Sequence, residues 1–432
     1  MTSLGRPAGI AAATAAIALV LAAPAPAHAQ RPALPGEATY GVTGGRLLVH
    51  YTASTADAVP AADANTNGVP DFVESVASIG EAALDQLVAL GFRAPLADTL
   101  GGDARTDIYL KNLVSADGNA GDDSCSQNRC IGYVVAENDY AGYGYPTIAE
   151  GIRSVVPHEL FHLIQKAYAD GQSVTWSEGT AVWAVEQLYG EGNSDFERFL
   201  PSFLTKSYRP FERPIAGFGD GYPYGAALWP YFLSHRFDPS AIVDAWKGCE
   251  TAGFLEAIDG ALAPRGSSLE AAFVEFTRWN LFTGARARGG GYPDASGWAS
   301  VPLEPAIDAS GRVFLEGLSA RYVPVTVGAD PRVVVRPSGG IRVAAWLVPQ
   351  DGGLADGVEL TEQGGEQAAT VDPGAYTLVV TGLSRNTIAT AVDVELTAAK
   401  ASGDDGCNAS GGGASGLVLL GVLYATTRRR RR

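Results

Sequence analysis

His158-Glu159-Leu160-Phe161-His162 is the stretch on which the reading of this chain turns. The pattern is H-E-x-x-H. On an α-helix, positions i and i+4 share a face, so the two imidazoles can hold one metal ion together. Glu159 then sits beside them, placed to take a proton from a metal-bound water. That is the zinc-hydrolase arrangement. With five histidines in 432 residues, chance would produce it in roughly a few such chains per thousand, so the motif is read as chemistry.

Catalytic zinc takes three protein ligands and keeps one position for water. The next strong segment is Trp176-Ser177-Glu178-Gly179-Thr180-Ala181-Val182-Trp183. It puts Glu178 sixteen residues after His162, at the start of an apolar helix. Two antiparallel helices joined by a short turn would bring that carboxylate back to the imidazoles. Glu186, two helical turns further on, is the alternate third ligand. Asp170 is too close in sequence to Glu178 to be assigned as a rival ligand or as a group that orients the rings. An H-E-x-x-H helix followed by E-G-x-A on the next helix resembles the gluzincin metallopeptidases, to which thermolysin belongs. The closer resemblance is to a metalloprotease family common in myxobacteria, over roughly residues 45–285. It implies zinc held by His158, His162 and Glu178, with Glu159 as general base and acid. It also implies an α+β, thermolysin-like two-lobed domain acting on protein or peptide substrates.

Both ends of the chain carry address signals. Arg6, the apolar run Ala8 to Ala23 and the Ala27-His28-Ala29 cleavage site read as a secretory signal over residues 1–29. At the other end, Cys407 precedes a Gly/Ser spacer, an apolar run Gly416 to Ala425 and five arginines, Arg428 to Arg432. The run is short for a membrane span of ~20 residues. The segment resembles the myxobacterial C-terminal sorting tail of the MYXO-CTERM type. That implies a processing protease acting near Cys407 and retention at the outer cell surface, with contact to membrane only through the tail. Many such tails carry a cysteine pair, and here Cys407 is alone. A simple C-terminal anchor is the plainer reading.

The chain carries 31 basic and 47 acidic residues. Without Arg6 and the five terminal arginines, 25 basic residues remain against 47 acidic, a net charge of −22. A body so acidic excludes nucleic acid and anionic membrane as partners. Cys125 and Cys130 enclose four residues of a Gly/Asp/Ser-rich loop, which in a secreted chain reads as a small disulfide-closed loop. Cys249 has no partner in sequence and reads as a buried thiol.

Asp63-Ala-Asn65-Thr-Asn67-Gly68-Val69-Pro70-Asp71-Phe72-Val73-Glu74 fits the calcium-loop pattern D-x-[DN]-x-[DN]-G-x5-E. The oxygens would come from Asp63, Asn65, Asn67, the Val69 carbonyl, Asp71 and Glu74. A plain Asn/Asp/Gly turn leading into a helix is the alternative, and Pro70 is unusual inside such a loop. The helix expected after it runs from Phe72 to Leu90.

Leu47–Tyr51, Asp107–Leu113 and Ile131–Ala136 read as strands. In gluzincins an edge strand above the metal pairs with extended substrate, and Ile131-Gly132-Tyr133-Val134-Val135 is assigned that role. Thr147-Ile-Ala-Glu150 is a capping box that opens a helix. Pro157 lies directly before His158, so the helix either kinks there or restarts with the proline in its first turn. Residues 190–221 are expected to wall the cleft. Tyr224–Arg236, Ala241–Lys247 and Leu269–Thr283 read as helices of the second lobe. Tyr222, Tyr224 and His235 are the candidates for hydrogen-bonding an oxyanion, with Tyr224 foremost.

From about residue 301 to 398, short alternating segments separated by Gly/Pro/Asp turns give a small all-β sandwich, followed by a linker and tail over 399–432. The expected organisation is therefore a signal over 1–29, a peptidase domain over 30–300, and the sandwich. Two rival functions remain. One is a non-catalytic calcium-binding surface or adhesion protein on the same fold. The other is an aminopeptidase, but Glu137-Asn138 lacks the rest of the G-x-M-E-N segment usual in that class, which favours an endopeptidase.

Overall fold

The computed structural model describes residues 31–190, 194–212, 221–329, 332–385 and 389–397. The signal segment, Cys407 and the tail lie outside the described residues. Among the described residues, no helix is long and apolar enough to cross a membrane.

The first sheet is mixed. Its strands are β1 (Ala38–Tyr40), β2 (Leu47–Tyr51), β3 (Thr106–Lys111), β4 (Gly118–Ser126) and β5 (Arg129–Glu137), in the order β1-β2-β3-β5-β4. Strands β2, β3 and β5 run parallel, and β1 and β4 flank them antiparallel. Helix α1 (Asp71–Ala89) makes the crossover from β2 to β3. It buries Phe72, Val73, Val76, Ala77, Leu84 and Leu87 along one stripe, the spacing of an amphipathic helix.

The sheet order corrects the assignment of the edge strand. Strand β5, which contains Ile131 to Val135, lies inside the sheet, with Val134 to Ala136 paired to β3 on one side and β4 on the other, and the edge on that side belongs to β4. Gly-Asn-Ala-Gly-Asp-Asp-Ser has little strand propensity, which is why its sequence reads as loop. Partner and turn impose the strand. Gln127 and Asn128 both have positive φ, 51° and 60°, the two-residue hairpin turn whose twist matches paired strands. Cys125 and Cys130 face each other across the hairpin and are joined by a disulfide.

Helix α2 (Ile148–Lys166) starts at Thr147, whose hydroxyl accepts the Glu150 N–H at 3.2 Å. It runs unbroken through Pro157, so it does not restart there. Helix α3 (Val174–Tyr189) returns alongside it. The helical region continues with α4 (Ser194–Leu204), α5 (Tyr222–Gly225), α6 (Leu228–Arg236), α7 (Ser240–Gly248), α8 (Phe254–Leu262) and α9 (Leu269–Leu281). Trp176, Trp183, Trp229 and Trp246 are fully buried in the core these helices share with α1, α2 and the sheet. Cys249 is a buried free thiol, and burial pushes it up to about 12.

Two antiparallel sheets complete the fold. One has four strands, β7 (Ala320–Val327), β9 (Val343–Pro349), β10 (Val358–Glu359) and β13 (Gly374–Gly382), in the order β10-β9-β13-β7. The other has five, β6 (Ser310–Leu315), β8 (Arg332–Pro337), β11 (Thr361–Gln363), β12 (Glu366–Thr370) and β14 (Thr390–Thr397), in the order β11-β12-β8-β14-β6. Val323, Val325, Val335, Leu347, Leu378 and Val392 are among the residues that fill the core between them. Tyr322, Trp346 and Val379 instead join the helical core. On that side the Tyr322 hydroxyl donates to the Thr277 carbonyl at 2.9 Å, and the Thr277 and Thr381 hydroxyls meet at 2.7 Å. The β unit is thus seated on α9 through buried contacts.

Candidate metal centre

Helices α2 and α3 lie side by side, and their packing brings three ligand atoms together. The His158 Nε2 lies 3.1 Å from the His162 Nε2 and 3.1 Å from the Glu178 Oε2, which is 3.4 Å from the His162 Nε2. A tetrahedral ion with bonds of about 2.0–2.1 Å sets its ligand atoms about 3.3 Å apart, so the spacing is that of one face of such a site. Glu186 is not part of the group. Gly179, next to Glu178, lets α3 pack closely against the turn after α5: a Cβ there would meet the Ala226 backbone at 3.1 Å.

The charges are consistent with a cation site. Burial works against charge on His162, yet Glu178 outweighs it and raises the imidazole to about 9. Burial equally opposes ionisation of Glu178, and the two imidazoles overcome it, holding the carboxyl well below the usual carboxylate range. Glu159 is buried, and desolvation lifts it above its ordinary value, with the imidazoles opposing only part of the rise. A raised carboxyl suits a group that must take a proton and give it back.

His162 is oriented from behind by a residue that sequence reasoning missed. Its Nδ1 lies 2.9 Å from the Gln165 Oε1. The Gln165 amide donates to the Ser177 carbonyl at 2.8 Å and to the Thr180 hydroxyl at 3.1 Å. The Thr180 hydroxyl is tied in turn to the Trp176 carbonyl and the Trp246 indole. The only sequence signal is a polar residue three positions after His162, on a buried stripe of the helix. For a zinc ion held by this group, Gln165→Leu should weaken binding about 10- to 100-fold, the usual worth of such a supporting partner, measured by competition with a chromogenic chelator.

The three ligand atoms open onto a cleft of about 950 Å³. Its rim on one side is β4 and the turn before it, Ser115 to Ala120; on the other it is α4, through Asp195, Arg198 and Phe199. Gly118 lies hard against the catalytic candidate: a Cβ there would come within 2.9 Å of the Glu159 Cγ and 2.5 Å of the Val155 Cγ1. Asp117 and Asp195 bring further carboxylates into the cleft, and Tyr145 donates to Asp117 at 2.6 Å. Nothing in the sequence marks residues so far apart as sharing a site.

Of the oxyanion candidates, Tyr224 alone lines the cleft, its ring 6.1 Å from that of His158 and stacked on Phe199. Burial, then Glu178 and Glu159, push its phenol well above the ordinary range, so it stays a proton donor. Tyr222 and His235 do not line the cleft, which corrects their candidacy. Tyr222 packs under Arg209 and against Phe203, and His235 bonds the Tyr231 carbonyl on its own helix. Asp170 lines the cleft floor but groups with Asp122, Cys125 and Cys130, whose two sulfurs are already bonded to each other.

The loop at 63–74 is closed by its own polar groups. Asp63 accepts the N–H groups of Asn67 and Gly68 at 3.2 and 2.9 Å, and Ala64 donates to Asp71. Asn65 and Asn67 donate their amides to Glu74 at 2.9 and 2.7 Å. Thr66 and Gly68 sit at positive φ. Among the described residues, ligand atoms of His, Cys, Asp and Glu converge within 4.8 Å in two groups, neither of them in this loop.

No protein-family model and no curated protein matches the chain. Among solved structures, it is similar to the pre-peptidase C-terminal domain of a collagenase from Bacillus anthracis, at 14% identity and a TM-score of 0.19, over 22% of this chain and 95% of that one. It is also similar to PliG of Aeromonas hydrophila, a periplasmic inhibitor of g-type lysozyme, at 9% identity and a TM-score of 0.18, over 22% of this chain and 96% of that one.

Proposed function

We propose that the chain is a zinc-dependent peptidase of gluzincin type, with His158, His162 and Glu178 holding the metal and Glu159 serving as general base. The observation that carries this reading is the convergence of two imidazole nitrogens and one carboxylate oxygen at tetrahedral spacing beside a large cleft. Zinc held there would supply Lewis acidity and activate water near neutral pH. The chain's own part is positioning and proton transfer. Glu159 takes the proton of the attacking water and passes it to the leaving amine. Gln165 fixes the His162 ring with its Nε2 turned to His158 and Glu178, where the three would hold zinc. Tyr224 offers its hydroxyl to the oxygen on which charge develops.

An endopeptidase fits better than an aminopeptidase. Glu137 is buried and accepts the Leu113 N–H at 2.6 Å, and Asn138 donates to the Ala56 and Ala58 carbonyls. Neither lines the cleft, where a group that captures a substrate amine would have to stand. Substrates would be proteins or peptides lying along β4, the strand at this edge of the sheet. Metal analysis of the purified chain with peptide-library profiling tests this reading; a chain that binds zinc and cuts no peptide would point to the surface-protein alternative.

We further propose calcium in the 63–74 loop, and secretion with retention at the cell surface through the Cys407 tail. Calcium should raise the melting temperature by several degrees, and Asp63→Ala should abolish that response, read by differential scanning fluorimetry.

A further inference from the structure

The face of the first sheet turned away from α1 and α2 is covered by an N-terminal arm. Leu34 of that arm forms a small separate core with Tyr109, Tyr133 and Val135. Beside it, Arg31 plants its guanidinium among three carboxylates drawn from three elements: Asp98 in the loop before β3, Asp107 in β3 and Asp123 in β4. The Nε donates to Asp123 at 3.0 Å and the Nη2 to Asp98 at 2.5 Å, while the Nη1 meets Asp107 and the Nη2 also meets Asp123. The three aspartate side chains are 1%, 1% and 4% exposed. Asp107 also bonds His50 at 2.9 Å, and Asp98 accepts the Leu100 N–H at 2.7 Å.

Asp123 takes part through a β-bulge. Pairing steps from Asp122 opposite Gly132 to Ser124 opposite Ile131, which leaves Asp123 as the extra residue, turned inward to the arm. Asp122 pairs with Lys166 at the end of α2. A strand with the composition of a loop is therefore pinned at its far end by the disulfide and at its middle by Arg31 and Lys166. Its near end, Gly118 to Ala120, lines the cleft, and Gly118 has no slack against Glu159.

We infer that the arm is a latch on the cleft-edge strand, and that Arg31 is a positioning residue for peptide hydrolysis that acts through β4. This rests on the peptidase reading of the cleft. Without Arg31, three buried carboxylates face one another with too little positive charge between them, and the arrangement cannot hold. Asp123 leaves the socket and the bulge loses what fixes it. Trimming of the chain past residue 31 by an exopeptidase would open the latch in the same way.

Arg31→Ala in the full chain is the test, read by hydrogen exchange and by peptide kinetics. Amides of residues 118–124 should exchange about a hundredfold faster while those of α2 and α3 keep their rates. KM for a peptide should rise about tenfold with kcat changing much less, because the strand that holds substrate has loosened. Adding Asp123→Asn should return both readouts most of the way by relieving the repulsion. Arg31→Lys keeps the charge without the fork and carries the same criteria if the alanine variant does not fold. Exchange in β4 that stays at the wild-type rate, or that rises evenly through the whole chain, overturns the latch. A wild-type chain that cuts no peptide sinks the peptidase reading instead, and the exchange data still decide the latch.

Discussion

Glu159→Gln should lower peptide hydrolysis at least about a thousandfold while one zinc per chain remains bound. The substitution keeps the size of the side chain and takes away only its ability to accept a proton. Glu159 lines the cleft next to His158 on α2 but is not part of the ligand group, so its replacement should leave the metal in place. Its surroundings already favour proton transfer. Buried, with its carboxyl raised by desolvation, Glu159 binds a proton more readily than an exposed glutamate does. The pH profile should change with it. In the wild type the acid limb of kcat/KM should carry a contribution from Glu159, and in the variant the residual rate should lose it. Metal content measured by mass spectrometry, beside kcat/KM on one peptide, checks the prediction. A variant as fast as wild type would remove Glu159 from the mechanism.

Glu178→Ala should do the opposite: zinc is lost, and activity goes with it. The loss of affinity should exceed the 10- to 100-fold typical of a supporting partner, because a ligand atom itself is removed. The charge state of the metal-free chain makes the result legible in a second way. His162 stands raised to about 9 because of Glu178, so at pH 7 it carries a proton that zinc must displace. Zinc uptake near neutrality should therefore release the His162 proton, and affinity should climb with pH until the His162 value is passed. The sign for stability follows from the same shifts. The His162 part of the pairing is present below the ordinary histidine value and is lost as pH rises through about 9. The Glu178 part is present above the ordinary carboxylate value and is lost only as pH falls through its depressed one. In Glu178→Ala the imidazole keeps its burial and loses its nearest counter-charge, so its titration should fall from about 9, with Glu159 and Gln165 still supporting the charged ring. Proton-detected histidine titration and calorimetry in two buffers measure both effects.

What the residues determined alone was whatever depends on neighbours within a few turns. The spacing of His158 and His162 follows from helical geometry and survives Pro157 inside the helix. The apolar stripe of α1, the cap at Thr147 and the short alternating strands after residue 301 are local patterns, and each appears where its residues place it. The Cys125–Cys130 loop is a matter of six residues and closes as a disulfide. Tertiary structure decided the rest, because it depends on which distant segments share a surface. A run of Gly, Asn and Asp becomes the cleft-edge strand only because β5 pairs with it and the disulfide and Arg31 hold it. Strand β5, with its strand-like residues, goes inside the sheet for the same reason: β4 pairs along its length and β3 pairs with Val134 to Glu137. Gln165 behind His162, the approach of Asp117 and Asp195, and the burial that shifts Glu159 are set by packing between helices and strands far apart in the chain. Periodicity and propensity describe one segment at a time, and none of these is a property of one segment.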